Sequence, residues 1–260
     1  MEIVIRPIRI CAKYRPKLGR GAGEGYSLKD FQKLYRADPF YSWFGLDNPL
    51  MYAAHKGAGG MTSIYRQIGI GCEHLFRQIL QDHLGLSADD AAWSYEAAKI
   101  GGKTRTLYLD GRIPIAKVAD PVARKRVAGW VKRAAASLGV ETGVIRSLTG
   151  AVFEVRQGYK SKDSKRQNAD IANAATAYTK SYLPCAAILS SQIDTDILMR
   201  YRAEKWFIVT GVMGADDPLV STYDLMKTVI GYDLAGFFQR NSDVLKHELD
   251  AVLKTLLSTD

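Results

Sequence analysis

Residues 150–175 read GAVFEVRQGYKSKDSKRQNADIANAA, and this stretch decides the fold that the sequence predicts. The AVFEV segment is rich in β-branched and aromatic residues and is typical of a buried strand. Glu154 interrupts that strand, although a buried charge is costly unless it is paired or binds a metal. A lysine-rich run follows, and from about Lys165 the pattern becomes helical. An acid on a strand followed by positive charge predicts a metal-dependent nuclease centre, and the alternative is a solvated, charged turn.

The composition is that of a folded chain with a moderate excess of positive charge. The 260 residues include 36 Lys and Arg against 27 Asp and Glu, a net charge of +9. This charge is compatible with nucleic acid but does not require it. Three widely spaced cysteines and four histidines, without a CxxC pair, argue against a zinc site. Because no signal-peptide pattern or membrane-length apolar run occurs, we expect a soluble, intracellular protein that does not bind a membrane.

The first 60 residues are expected to form a separate basic and aromatic segment. Residues 2–10 suggest an edge strand, because Pro7 is unsuited to a central strand. The glycine-rich basic loop at 14–25 is either mobile or wraps DNA. Aromatic side chains crowd residues 38–54, where core packing is the usual role and base stacking the alternative. We predict a flexible hinge at residues 55–60, HKGAGG, which lacks the Gly-Lys-Ser/Thr of a phosphate-binding loop.

The remainder, residues 61–260, begins with a helix that carries a carboxylate. Apolar residues at helical spacing predict an amphipathic helix from about Thr62 to Leu84. Glu73 lies near the edge of the apolar stripe, four residues before Arg77. A helix-surface ion pair explains both side chains, and a catalytic helper carboxylate is the alternative for Glu73.

Two candidate metal ligands, Asp110 and Glu141, precede Glu154 in the chain. The Asp110-Gly111 dipeptide between alternating apolar residues predicts a β-hairpin over residues 104–117, which gives Asp110 a structural explanation. Asp110 is also an acid at a strand end, where a second metal ligand is expected. Glu141, thirteen residues before Glu154, is the alternative ligand.

The order of the remaining elements predicts an α/β fold. Strands that alternate with helices indicate a mixed central sheet flanked by helices. The helical tail is expected to dock on the core or on a second subunit. We predict helices at 88–98, 121–138, 195–205 and 222–258, and strands at 185–189 and 206–212.

Several segments together resemble a known enzyme family. The run FEVRQGYKSKDSKRQNADIANA at 153–174, with SSQID at 190–194 and VIGYDLAGFF at 229–238, is similar to type II restriction endonucleases. More narrowly, the chain from about Gly69 onward resembles the ApaLI-like group of the PD-(D/E)xK superfamily. It departs from the superfamily motif because it has no Pro-Asp pair at the expected place and carries Arg156 where the motif has lysine.

The resemblance implies a restriction-endonuclease-like core and a defined activity. Members of the superfamily use Mg²⁺ to hydrolyse double-stranded DNA at short palindromic sites, usually as homodimers. By this resemblance we expect a DNA-binding homodimer in the cytoplasm of a prokaryotic cell, with residues 61–260 as the nuclease core. The rival functions are a non-catalytic DNA-binding protein, a less specific repair or phage-defence nuclease and, more remotely, an enzyme that acts on RNA.

The expected site residues fall into three groups. The metal ligands are Glu154 with Asp110, or with Glu141 as the alternative. Lys160 or Lys162 is expected at the scissile phosphate, because both follow the acid-bearing strand closely. The supporting groups are Gln157 and Glu73. The candidates for DNA contacts are Arg156, Lys165, Arg166, Gln167 and Asn168.

Overall fold

The computed structural model describes residues 1–18, 23–98, 104–158 and 173–258. By its contacts the chain divides into two compact units. Met1–Gly71 and Gln239–Asp260 form the first unit, and Cys72–Phe238 form the second. The C-terminal helix therefore belongs with the N-terminal helices, whereas the sequence predicts a first segment that ends near residue 60. No described helix is both long enough and apolar enough to cross a lipid bilayer.

The described part of the first unit is helical. The predicted edge strand at residues 2–10 is wrong: this segment is a helix, because Val4, Ile5 and Ile8 recur at helical spacing and are buried together. The elements are α1 (Glu2–Ile10), a 3₁₀ turn (Cys11–Lys13), α2 (Leu28–Arg36), α3 (Pro39–Trp43), the first part of α4 (Pro49–Leu84) and α12 (Ser242–Leu257).

The predicted hinge at residues 55–60 is also wrong, because this segment lies inside α4. Its glycines permit close packing of neighbouring side chains. A Cβ on Gly60 would lie 2.7 Å from a methyl carbon of Leu256, and one on Gly59 would overlap the Tyr14 hydroxyl. Glycine has a low helix propensity, but at these positions its lack of a side chain permits the contact with α12.

The second unit contains both sheets. Its helices after α4 are α5 (Ala88–Ala91), α6 (Pro121–Ser137), α7 (Thr142–Ser147), α8 (described at 173–179), α9 (Thr195–Ala203), α10 (Thr222–Asp224), which continues as a π-helix (Leu225–Ile230), and α11 (Leu234–Arg240). Its strands are β1 (Trp93–Ala98), β2 (Thr104–Leu109), β3 (Gly111–Pro114), β4 (Gly150–Arg156), β5 (Tyr182–Ile188) and β6 (Phe207–Val209), with a 3₁₀ turn at Ile115–Lys117.

The larger sheet has the strand order β3-β4-β5-β6. β3 runs antiparallel to β4, whereas β4, β5 and β6 are parallel to one another. This confirms the predicted mixed sheet with flanking helices. The predicted strands near residues 150–156, 185–189 and 206–212 and the helix that begins at Pro121 are also confirmed.

The predicted hairpin around Asp110-Gly111 is wrong. β2 pairs with β1 in a separate two-stranded sheet, and β3 pairs with β4. The predicted helix over 88–98 ends at Ala91, because alternate side chains, those of Trp93 and Tyr95, are buried in a strand. Asp110 therefore lies between strands of two different sheets.

The central strand β4 is covered on both faces. The Phe153 ring lies 5.1 Å from the Phe76 ring of α4 and 6.1 Å from the Trp130 ring of α6, measured between centroids. On the opposite face, Val152 belongs to a core cluster that includes Trp93 of β1 and Tyr201 of α9. Glu154 follows Val152 on that face, so its carboxylate emerges from a covered strand.

We predict that Phe153→Ala lowers the free energy of unfolding by about 3–5 kcal/mol, because it leaves a cavity between α4 and α6. Urea denaturation followed by circular dichroism measures this change. The control is Met199→Ala, since the Met199 side chain is 62% exposed, and its effect should stay within about 0.5 kcal/mol. A Phe153→Ala loss no larger than that of the control would contradict the packing described.

Candidate active site

Asp110 and Glu154 are neighbours: Glu154 lies on β4, and Asp110 lies on the segment that pairs with it. Asp110 immediately precedes β3, and the antiparallel register pairs Gly111 with Phe153. Continuing this register by one residue places Asp110 opposite Glu154. The Asp110 amide donates to the Phe153 carbonyl over 2.8 Å, and the Asp110 Oδ2 accepts from the Val155 amide over 2.7 Å. Hydrogen bonds to β4 thus fix both the backbone and the carboxylate of Asp110.

Glu154 itself is buried, with 5% of its surface exposed. Its carboxylate forms an ion pair with the guanidinium group of Arg156, whose side chain is also largely buried. The two residues lie on one face of β4, as strand alternation predicts. This pairing offsets part of the cost of burying the Glu154 charge. The predicted contact of Arg156 with DNA stays a prediction.

Helix α4 brings a third acid and a second arginine to this region. Burial, followed by the negative charge of Asp110, raises the pKa of Glu73 to about 7, while the positive charges of Arg156 and Arg77 act in the opposite direction. The Arg77 Nε donates to the backbone carbonyl of Asp110 over 3.0 Å. Glu73 therefore lies within electrostatic reach of Asp110 and Arg156, and Arg77 ties α4 to Asp110.

The candidate active site is defined as Glu73, Arg77, Asp110, Glu154 and Arg156. Carboxylate oxygens are the donors that Mg²⁺ prefers, and Mg²⁺ commonly takes one or two protein carboxylates and keeps several waters. Among the described residues there is no group of three or more His, Cys, Asp or Glu side chains placed to hold a metal ion. The carboxylate of Asp110, held opposite Glu154, is of the type that binds a Mg²⁺ ion which keeps several waters.

Glu141 occupies a different place. It is the exposed residue at the N-terminal end of α7, and its carbonyl accepts from the Ile145 amide over 3.0 Å. Helix α7 leads into the amino end of β4, so Glu141 precedes that end of the strand. Glu154 lies near the carboxyl end. The structure therefore places Asp110, and not Glu141, opposite Glu154.

The segment that follows β4 is described only at its beginning. Gln157 is half-buried, and a Cβ placed on Gly158 would lie 3.4 Å from the Cβ of Ser190. The start of the polar run thus lies beside the segment that follows β5. The other predicted site residues in the run lie outside the described residues and stay predictions: Lys160, Lys162, Lys165, Arg166, Gln167 and Asn168.

Two side-chain contacts of the second unit lack a distinct signal in the sequence. Arg77 is explained there as a surface partner of Glu73, whereas its Nε bonds to Asp110. The Tyr223 hydroxyl donates to the Leu189 carbonyl, just beyond β5, over 2.9 Å. Burial and the nearby Cys72 thiol raise the pKa of Tyr223. Neither contact could be anticipated, because each joins segments that are distant in sequence.

No family model, curated protein or solved structure matches the chain.

The raised pKa of Glu73 predicts how stability depends on pH. The native carboxyl group has a pKa of about 7 against an ordinary value of 4.5, so the native state binds the proton more tightly. Stability should therefore fall as pH rises from about 4.5 to about 7. Glu73→Gln should remove this part of the slope and stabilise the protein at about pH 8 by roughly 1–2 kcal/mol, a value reduced because the group is partly exposed.

Urea denaturation in EDTA at about pH 5 and about pH 8 measures this effect in both proteins. Glu248→Gln is the control, because the pKa of Glu248 is lowered by its hydrogen bond with Arg9 and its replacement should not stabilise the protein at high pH. Identical pH profiles for the wild type and Glu73→Gln would show that Glu73 is not held in this environment.

Proposed function

We propose that this protein is a magnesium-dependent type II restriction endonuclease, which hydrolyses double-stranded DNA at a short palindromic site. The observation that carries the proposal is the position of Asp110 opposite Glu154, with the Asp110 carboxylate bonded to β4. Two acids on adjacent strand segments are the residues that a phosphodiester-cleaving metal site requires. The proposal includes double-stranded DNA and a second copy of the chain as partners.

The order of the elements around these acids supports a restriction-endonuclease-like core. Glu73 lies on a helix, Asp110 precedes an antiparallel strand, and Glu154 lies on the next strand of the same sheet. A helix and the parallel strand β5 then follow. This succession of acid-bearing elements is similar to the one that the family resemblance implies.

In this mechanism Asp110 and Glu154 would hold Mg²⁺, which would activate water and stabilise negative charge on the phosphate. The Val155 amide donates to the Asp110 carboxylate and so orients it. Arg156 forms an ion pair with Glu154 and, because arginine stays protonated, acts as an electrostatic partner and not as a base. Lys160 or Lys162 is proposed to contact the scissile phosphate.

Glu73 is the group suited to moving a proton. A carboxyl group with a pKa of about 7 exists in both forms at neutral pH, as a general acid or base requires. We therefore assign to its carboxylate the acceptance of a proton from the attacking water. Gln157, directly after β4, is proposed to help orient that water.

A second candidate function is favoured by one contact. The ion pair between Glu154 and Arg156 already accounts for a buried acid, so Glu154 also suits a structural role in a non-catalytic DNA-binding protein. The two functions differ in their dependence on a metal. DNA binding alone should persist in EDTA, whereas cleavage should stop.

We predict that the purified protein cuts phage genomic DNA into discrete fragments with Mg²⁺ and leaves it intact in EDTA. Agarose electrophoresis gives the fragments, and sequencing of their ends gives the site. A smear of fragments would support the less specific nuclease and contradict site-specific cleavage. Uncut DNA that shifts in a native gel would support the DNA-binding protein.

We predict that Asp110→Asn and Glu154→Gln each lower the cleavage rate by about 10²-fold or more, because each removes a metal-binding charge. Asn keeps an oxygen that can accept from the Val155 amide, so Asp110→Asn tests the charge with little change in structure. Glu141→Gln is the matched control and should cut at the wild-type rate.

Single-turnover cleavage measures these rates, and native gels in EDTA measure DNA binding, which should change little. Circular dichroism checks that each variant is folded. The assignment of Asp110 is wrong if Asp110→Asn cuts normally while Glu141→Gln is inactive.

A further inference from the structure

Helix α6 carries a dense positive charge that its own residues do not neutralise. Its sequence, PVARKRVAGWVKRAAAS, contains five Lys and Arg residues and no Asp or Glu. One side of the helix is buried through Val127, Trp130, Val131 and Ala134. The five cations are all exposed and therefore lie on the remaining surface of the helix.

Four of these cations surround a glycine. Lys125, Arg126, Lys132 and Arg133 each lie three or four residues from Gly129, and residues at this spacing are neighbours on a helix. Gly129 is exposed, and a Cβ placed on it would meet no atom within 4 Å. Internal packing therefore does not require a glycine here, although glycine weakens a helix. We call Gly129 and these four cations the basic face.

The charges of the basic face are largely free of acidic partners. Asp120, which caps α6, interacts electrostatically with Arg124 and Arg126 at the start of the helix. The Arg126 Nε also donates to the Val229 carbonyl over 3.0 Å, which holds its guanidinium group in place. No described residue forms an ion pair with the other three cations of the basic face: Lys125, Lys132 and Arg133.

The side chains on this face select the kind of partner. The other exposed residues along its centre are Val122 and Ala136, seven residues before and after Gly129, and the face has no aromatic side chain. Interfacial helices insert Trp, Phe or Leu into a membrane, and single-stranded nucleic acids stack their bases on aromatic rings. The centre of a protein–protein interface is likewise rich in aromatic residues and poor in lysine. A duplex backbone requires only cations.

The spacing of the cations also fits a duplex. The pair Lys125 and Arg126 precedes the pair Lys132 and Arg133 by seven residues, which is about 10.5 Å along the helix axis. This distance equals about three steps along one DNA strand, at about 3.4 Å for each phosphate. Both pairs can therefore contact phosphates of the same strand, and Gly129 leaves the space between them open.

We propose that the basic face binds the phosphate backbone of double-stranded DNA without reading its sequence. The face is separate from the candidate active site, because Trp130 packs α6 on the Phe153 side of β4 and Glu154 lies on the other side. The proposal therefore goes beyond cleavage at that site. Only the choice of double-stranded DNA as the anionic polymer rests on the proposed function.

The test measures binding of the full chain in EDTA to duplexes of about 30 base pairs and unrelated sequence, by fluorescence anisotropy at salt concentrations from about 50 to about 200 mM. The double variant Lys132→Gln, Arg133→Gln should bind about 10-fold more weakly at low salt. Its slope of log K against log salt should be shallower by about 1.8, because each lost phosphate contact removes about 0.9.

The matched control removes the same charge elsewhere. Lys246→Gln with Lys254→Gln alters α12, where each lysine lies within 4.0 Å of an aspartate carboxylate. This variant should keep the wild-type slope, so the control separates the basic face from the net charge of the chain.

A second pair of variants tests the centre of the basic face. Gly129→Glu and Gly129→Gln introduce side chains of equal size, and both are better helix formers than glycine. Only Gly129→Glu places a negative charge among the four cations, so it should bind DNA at least about 10-fold more weakly than Gly129→Gln. Circular dichroism checks the fold of every variant.

The proposal is overturned if Lys132→Gln, Arg133→Gln keeps the wild-type slope, or if Gly129→Glu and Gly129→Gln bind equally. Tighter binding to double-stranded RNA or to vesicles of anionic lipid would also overturn it. A protein that never cuts DNA but shows the predicted slopes supports this proposal and contradicts the proposed function alone. A protein that cuts DNA, but whose α6 variants bind like the wild type, contradicts this proposal alone.

Discussion

The pairing of β3 with β4 is the constraint on which the candidate site depends. β4 is covered on one face by Phe76 and Trp130, which pack against Phe153, and on the other by the cluster around Val152. The polar side chains of a strand that is covered on both faces have little access to water. Glu154 therefore needs a partner, and Arg156 on the same face provides it. The β3 pairing then places a second acid beside this ion pair.

The electrostatic balance of the site follows from that placement. Three acids, Glu73, Asp110 and Glu154, come from a helix, a strand junction and a strand, and two arginines accompany them. Amide hydrogen bonding fixes the Asp110 carboxylate, and its negative charge contributes to the raised pKa of Glu73. The positive charges of Arg156 and Arg77 act against this negative charge at Glu73, and the proposed Mg²⁺ would act in the same direction.

The first unit uses aromatic and small residues for opposite purposes. Gly59 and Gly60 remove side chains where Tyr14 and Leu256 need space inside the unit. Trp43 extends a large ring outward where no described part of the unit covers it. The first unit thus combines close internal packing with an exposed aromatic side chain.

The sequence by itself determined the elements whose signals are local. The apolar run of β4 and the Asp120 cap of α6 lie within a few residues of the structure that they specify, so both were predicted correctly. Glu73, Asp110 and Glu154 were identified as candidates because acids at strand ends and helix edges are visible in sequence. Only the tertiary structure decided which strand pairs with the segment after Asp110, because strand pairing is set by distant residues. That pairing turned the predicted hairpin into a junction between two sheets and placed Asp110, and not Glu141, opposite Glu154. In the same way, the contacts of Leu256 and Tyr14 made a glycine-rich stretch part of a continuous helix, which no local pattern indicates.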